Sequence, residues 1–323
     1  MTLRAVVTGV GHYLPDRIVP NAELQGLVDT SDEWIRSRSG IESRHFAAEG
    51  QGTSDLATRA ARAALADAGV VAAEVDAIVV ATSTPDLTFP SVATMVQGQL
   101  GMTNGFAFDV QAVCAGFVYA LTTANALILA GSARRVLVIG AETFSNLMDW
   151  TDRTTCVLFG DGAGALVLEG MEQPGTPQDR GILSTDLHSD GQFKDLLYVD
   201  GGVSTGTTGK LRMQGKEVFR HAVEKLAETA HTALDKARLT PDDVAWIVPH
   251  QANIRIIEGT AKKMQVPMER VVVTVQDHGN TSAASIPLAL SVGRARGQIK
   301  QGDLLVTEAI GGGLAWGSAV LRW

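Results

Sequence analysis

The apolar and polar positions of this chain follow a series that occurs twice. Ala64-Leu65-Ala-Asp-Ala68 closes an amphipathic helix, a loop follows, and Val75-Asp-Ala-Ile78-Val79 reads as an apolar strand. Ala233-Leu234-Asp-Lys-Ala237, a loop and Val244-Ala-Trp-Ile247-Val248 repeat it 169 positions later. At the same spacing, Arg134-Arg-Val-Leu-Val-Ile-Gly-Ala-Glu142 is answered by Asp303-Leu-Leu-Val-Thr-Glu-Ala-Ile310. Phe108-Asp-Val-Gln-Ala-Val-Cys114 corresponds to Val273-Thr-Val-Gln-Asp-His-Gly-Asn280, each predicted as a strand and loop leading into an uncharged helix. The pattern predicts two duplicated α/β halves. The division falls near residues 170–180, where Gly170-Met-Glu-Gln-Pro174-Gly-Thr-Pro177 is turn-rich, so residues 1–172 carry Cys114 and residues 173–323 carry His250 and Asn280. A pseudo-twofold axis would bring the Cys114 and Asn280 junctions together.

Three other stretches refine this. No charged residue lies between Asp109 and Arg134, but Gln111, Thr122, Thr123, Asn125 and Ser132 interrupt the run. A buried central helix fits it better than a membrane span. Arg4-Ala-Val-Val-Thr-Gly reads as a strand and turn and not as a cleavable leader. Gly160-Asp-Gly-Ala-Gly-Ala165 precedes the strand Leu166-Val-Leu, whereas a phosphate-binding loop must open a helix; a bend between strands is expected.

Composition narrows the function. With 323 residues the chain can bury a large core. A net charge of −8 argues against a nucleic-acid binder. Two cysteines, Cys114 and Cys156, suit a reducing compartment, and a cytoplasmic protein is expected. The seven histidines are scattered, so no metal site is expected.

Cys114, His250 and Asn280 each stand at a predicted strand-to-helix junction. A sulfur nucleophile, an imidazole and a carboxamide are the groups needed to form a carbon–carbon bond on a thioester. A free thiol has a pKa of about 8.5, and a helix N-terminus lowers that by at most ~1.5 units, while burial beside Val110, Val113 and Phe117 raises it. A nearby imidazole is the expected additional activator. Ala115 and Gly116 leave room for a substrate carbonyl, whereas Cys156 reads as a small buried hydrophobe. His250 follows the strand Val244–Val248 at an end where open sheets bind ligands, and His278 competes for its role. Asn280 could equally be a turn residue. As a donor, it and the imidazole would stabilise an enolate without protonating the carbon nucleophile. Gly311-Gly312-Gly313 permits close backbone approach and, with the Cys114 amide, an oxyanion hole.

These stretches, with Asp29-Thr-Ser-Asp-Glu-Trp-Ile35, Phe159-Gly-Asp-Gly-Ala-Gly-Ala165, Met213-Gln-Gly215, Val248-Pro-His-Gln-Ala-Asn253 and Gly311-Gly-Gly-Leu-Ala-Trp-Gly317, resemble β-ketoacyl-acyl carrier protein synthase III over essentially the whole length. The resemblance implies a thiolase-like fold, two duplicated halves in five α-β-α-β-α layers, working as a homodimer. It implies transfer of a short acyl group, usually acetyl, from coenzyme A to Cys114. Malonyl-acyl carrier protein is then decarboxylated beside His250 and Asn280 to give a β-ketoacyl product. No cofactor is implied, coenzyme A being part of a substrate. Gly312 would join Cys114 in the oxyanion hole, and Trp34 and Arg153 would sandwich the adenine. Thr30, Arg36, Gly215, Phe219 and Asn253 would line the coenzyme A channel. Phe89 would shape the acyl pocket, its own or that of the neighbouring subunit. Arg220, Arg255, Lys262 and Lys263 would dock the acidic carrier protein. Ile310, where the family often has Phe, and Thr154, where it has Gly, depart from the pattern.

Rival readings differ in what they require. A thiolase needs a second cysteine near the glycine triplet, and residues 157–323 contain none. A condensing enzyme of secondary metabolism would use the same trio on another starter. A papain-like peptidase shares the Cys, His, Asn order but not its local signature. A non-catalytic carrier-protein binder would not need the trio.

Overall fold

A computed structural model describes all 323 residues. The first half begins with β1 (Thr2–Tyr13) and the antiparallel pair β2 (Arg17–Pro20) and β3 (Ser43–Phe46), which carries α1 (Asn21–Leu24) and α2 (Asp32–Ser39) between its strands. It continues through α3 (Thr53–Ala68), β4 (Ala77–Ala81), α4 (Val92–Gln99), β5 (Phe106–Val110), α5 (Gly116–Leu129), β6 (Arg135–Thr143) and β7 (Asp161–Gln173). The second half runs through β8 (Gly181–Ser189), the short pair β9 (Leu197–Val199) and β10 (Leu211–Met213), α6 (Gly215–Ala237), β11 (Trp246–Pro249), α7 (Ile254–Lys263), α8 (Val275–His278), α9 (Ser285–Ala295), β12 (Leu304–Gly311) and β13 (Ala315–Arg322).

The two main sheets have one topology. The first is ordered β1-β7-β6-β4-β5 and the second β8-β13-β12-β11. In each the first two pairings are antiparallel and the pairing of β4 with β6, or of β11 with β12, is parallel. The predicted offset holds, because β4 and β11 begin at residues 77 and 246 and β6 and β12 at 135 and 304.

Five layers follow from where the apolar faces go. Leu56, Ala60 and Ala64 of α3 pack on Ile78, Val80, Leu137 and Ile139. Phe117 and Leu121 of α5 and Ile286 and Leu290 of α9 fill the middle, between Val79 and Val138 of one sheet and Leu305 and Ala319 of the other. Ala227, Ala230 and Leu234 of α6 and Ile257 of α7 cover the far face, on Val306 and Val320. The uncharged run is thus a central helix of 14 residues, and no helix is long and apolar enough to cross a membrane.

Three local expectations are corrected. Arg4 to Gly9 contains no turn: β1 runs on with one bulge, and Gly9 and Gly11 lie inside it because the α3 backbone packs where their side chains would be. Gly160–Ala165 is not a bend either. Residues 161–165 belong to β7, and a Cβ on Gly164 would come 2.6 Å from the Leu288 amide, so the small residues let α9 lie close to the sheet. The strand expected at Val273 is reduced to a bridge between Val271 and Ile247. The buried Gln251 side chain takes over its pairing, donating to Pro249 and Val272 carbonyls and accepting the Thr274 and Val275 amides. The connector between the halves is residues 174–180, just after β7 ends.

Candidate active site

Cys114, His250 and Asn280 line one cavity of about 580 Å³, with Trp34, Phe219 and Asn253 among its other walls. Cys114 and His250 reach it from the ends of β5 and β11, and Asn280 from the short connection between α8 and α9. Cys114 is the middle residue of a tight turn, Val113–Ala115, that leads from β5 into α5. The matching turn Ser282–Ala284 precedes α9 and packs on the first. Gly311 closes the site from β12, where a Cβ would come 2.7 Å from the Cys114 amide. Gly312 follows with a Leu197 carbonyl against its Cα, and Ile310 lines the cavity.

Hydrogen bonds fix which polar edges remain free. Ser285 accepts the Gln251 backbone N–H at 3.3 Å and lies 2.7 Å from Nδ1 of His250, the one acceptor within reach of its hydroxyl proton, so Ser285 donates and Nδ1 accepts. That tautomer leaves Nε2 as an N–H donor. Burial lowers the His250 pKa to about 3, so the ring is neutral across the physiological range. Asn280 is held through its backbone, its N–H donating to Leu158 and its carbonyl accepting from Gly160. Its Oδ1 accepts the Ser282 N–H at 2.9 Å, and Nδ2 donates to no protein group. A neutral imidazole N–H and a neutral amide N–H therefore border the cavity.

Burial pushes the Cys114 thiol up to about 12, against a favourable contact with the Ser282 hydroxyl and with further opposition from Glu142. The expected imidazole activation takes another form here, because a ring kept neutral offers no positive charge to a thiolate. His278 does not line the cavity, so of the two histidines His250 does. Cys156 is buried beside the Arg44 guanidinium, away from the cavity wall.

Other expected contacts divide. Trp34, Gly215, Phe219 and Asn253 line the cavity, Asn253 also capping α7 through Oδ1. Arg153 lies on the Trp34 ring, 5.3 Å from its centroid, with its guanidinium donating to the Asp29 carbonyl. An adenine would enter between them only if one swings aside. Thr30 keeps a buried hydroxyl without a partner and is not on the cavity wall. Arg36 is corrected: it faces solvent, ion-paired with Asp32 and Glu42, and Arg38 two residues on lines the cavity instead. On a helix that step turns the side chain to another face, which a motif match does not reveal. Lys216 and Thr154 also line the cavity. Phe89, 82% exposed, points away from it. Arg255 stands at the mouth and donates to the Ser37 carbonyl, Lys262 and Lys263 are exposed at the end of α7, and Arg220 pairs with Glu217.

Residues 108–191 match the family described as 3-oxoacyl-[acyl-carrier-protein (ACP)] synthase III, and residues 234–323 match its C-terminal part. The chain is 81% identical, over the full length of both, to a β-ketoacyl-[acyl-carrier-protein] synthase III of Cereibacter sphaeroides. It is 80% identical, again over both full lengths, to that of Ruegeria pomeroyi. The crystal structure of 3-oxoacyl-[acyl-carrier-protein] synthase III from Aquifex aeolicus is 45% identical, with 99% of this chain and 100% of that one covered and a TM-score of 0.94.

Proposed function

Because the chain belongs to the β-ketoacyl-[acyl-carrier-protein] synthase III family, we propose that its cavity performs the family's condensation as two half-reactions on one sulfur. The protein is a condensing acyltransferase that initiates fatty acid synthesis. In the first half-reaction Cys114 takes a short acyl group, acetyl above all, from coenzyme A. The developing oxyanion is held by the amides of Cys114 and Gly312, a reading supported by the packing of Gly311 on the Cys114 amide.

In the second, the thioester of malonyl-acyl carrier protein lies beside His250 and Asn280. Loss of carbon dioxide builds negative charge on the thioester oxygen. Nε2–H and Nδ2–H meet that charge, and a donor placed this way is worth about 10²–10³ in rate. Neither is acidic enough to quench the carbon nucleophile first. The carbon attacks the acyl-cysteine and the sulfur departs, leaving the β-ketoacyl product on the carrier protein.

One observation carries these roles: Nδ1 of His250 and Oδ1 of Asn280 are already engaged, so the cavity is left with two neutral N–H groups opposite one thiol. Trp34, Arg38, Arg153, Gly215, Phe219 and Asn253 form the coenzyme A channel. Arg220, Arg255, Lys262 and Lys263 receive the carrier protein. The unpaired edge of β5, with Phe106 and Leu87 exposed, supports a homodimer in which Phe89 enters the partner's acyl pocket. A secondary-metabolism starter is not favoured by relatives this similar. Intact-mass measurement after exposure to acetyl-coenzyme A tests the nucleophile: one acetyl adduct is expected, absent from Cys114→Ala, and an adduct surviving that substitution would overturn the assignment.

A further inference from the structure

Glu142 is a buried acid that the two half-reactions leave unused. It is the penultimate residue of β6, fully inaccessible to solvent. Its two carboxyl oxygens have different company. Oε2 accepts from the Thr84 hydroxyl at 2.6 Å, the Ser83 N–H at 3.0 Å and the Thr82 hydroxyl at 3.3 Å. Oε1 accepts the Ser282 hydroxyl at 3.0 Å. The turn that opens with Ser282 packs on the turn that carries Cys114, and the Ser282 hydroxyl faces the sulfur closely enough to favour its thiolate. One oxygen is clamped by three donors, and the other is joined to the turn that faces Cys114 by the Ser282 hydroxyl.

A hydroxyl carries one proton and two lone pairs, so it can pass a proton on while accepting another. With Glu142 ionised, the Ser282 proton points to Oε1 and a lone pair is free to accept the S–H. With Glu142 protonated, the same hydroxyl can turn its proton to sulfur and stabilise a thiolate. The Asn280 donor is undisturbed by this exchange, because it is held by the Ser282 backbone N–H and not by the hydroxyl.

We propose that Glu142, acting through Ser282, holds the Cys114 proton while the sulfur is acylated and returns it when the sulfur is released. The inference rests on Cys114 being the acylated residue. In the first half-reaction the S–H proton moves to Ser282 Oγ as the Ser282 proton moves to Oε1. The bond from sulfur to the acyl carbon forms, the acyl bond to coenzyme A breaks, and the departing thiolate takes a proton from solvent. In the second, the enolate carbon bonds the acyl carbon, the acyl–sulfur bond breaks with its electron pair on sulfur, and the proton returns from Glu142 by the reverse path.

The electrostatics agree. Burial raises Glu142 to about 7, against the hydrogen bonds of Thr84, Ser83, Ser282 and the Ala283 amide, so it can both take and give a proton near neutrality. Its negative charge opposes a Cys114 thiolate, which favours one shared proton over two anions. His250 is a poorer acceptor, because burial lowers its pKa to about 3 and its Nδ1 is engaged by Ser285. The groups around Glu142 are Cys114 from the turn before α5, Thr82, Ser83 and Thr84 after β4, Ser282 and Ala283 before α9, and Gly162 opposite it on β7. Asp161, next to Gly162, turns its carboxylate to Ser145 and the Ala47 amide.

The test is the pH profile of Cys114 alkylation by iodoacetamide and of its acylation by acetyl-coenzyme A, in the wild type, Glu142→Gln and Ser282→Ala. Wild-type rates should fall as pH drops through about 7. Both variants should react about tenfold or more slowly at neutral pH and lack that inflection. Ser282→Ala keeps the three donors on Oε2, so it separates the relay from a folding defect of Glu142→Gln. Profiles superimposable on the wild type would overturn the relay. So would faster reaction of Glu142→Gln at every pH, which would mean that the carboxylate only repels the thiolate. A wild type that is never acylated at Cys114 would instead sink the assignment of the nucleophile.

Discussion

Val113 and Ser282, 169 positions apart, both hold a left-handed backbone at φ 49°, and each opens the three-residue turn that packs against the other's. The duplication is therefore kept to the level of single dihedrals at the place where the two halves meet. One turn presents Cys114 and the other fixes Asn280. For a β-branched residue this conformation costs about 1–3 kcal/mol, and the surrounding packing sustains it. Val113→Gly relieves that strain but gives up a half-buried side chain of roughly similar worth. Unfolding free energy should change by less than about 1 kcal/mol while acylation of Cys114 slows about tenfold. Urea titration and acyl-loading kinetics on the same preparation check both; unchanged loading would mean that the strained turn does not position the sulfur.

Arg38 and Arg36 should separate in kinetics although they differ by two positions. Arg38 lines the cavity, whereas Arg36 spends its guanidinium on Asp32 and Glu42 in solvent. Arg38→Glu should raise the KM for acetyl-coenzyme A about tenfold or more, through lost attraction for its phosphates. Arg36→Glu should leave KM within about twofold. The reverse order would restore the motif-based assignment.

Acid should weaken the fold through buried histidines. Burial lowers both His250 and His278 to about 3, His278 aided by the like charges of His45, His12 and Arg296. Their folded values lie below the unfolded value of about 6.5, so the unfolded chain takes up protons first as pH falls. The stability they contribute is complete above about 6.5 and is lost from there down to about 3. Each can add up to about 1.4 kcal/mol per pH unit. Glu142 runs the other way: its folded value is raised, so its contribution is present below about 4.5 and is lost as pH rises to about 7. Urea midpoints of His278→Asn should show a shallower acid limb than the wild type. An unchanged limb would show that His278 is already protonated in the folded protein.

Carrier-protein docking is better probed at Lys262 than at Arg255. Arg255 borders the cavity, so reversing its charge should slow both half-reactions. Lys262 is exposed in the last turn of α7 and away from the cavity wall. Lys262→Glu should raise the KM for malonyl-acyl carrier protein several-fold and leave acylation by acetyl-coenzyme A unchanged, more so at low salt. Equal effects on both substrates would count against docking on this face.

Much of this was legible in the chain because duplication imposes a register. The offset from Ala64 to Ala233 locates the parallel pairs β4 with β6 and β11 with β12, but the sequence matches Cys114 to Asn280, whereas the structure matches its turn to the one that opens at Ser282. What stayed hidden depends on long-range packing. The glycines of β1 and β7 resemble turn residues until α3 and α9 are seen lying on them. The strand near Val273 disappears because one buried amide, Gln251, satisfies the same backbone groups. Glu142 reads as the end of an apolar strand, and its bond to Ser282, 140 residues later, has no local signal.

The central claim is a division of labour, with Cys114 carrying the acyl group and His250 and Asn280 stabilising the enolate. It is tested most directly by loading His250→Ala with labelled acetyl-coenzyme A, removing excess, and adding malonyl-acyl carrier protein with labelled carboxyl. The account predicts that the acyl-enzyme forms and persists, with carbon dioxide release slowed by about 10² or more. Release at the wild-type rate, or failure of the acyl-enzyme to form at all, would contradict it.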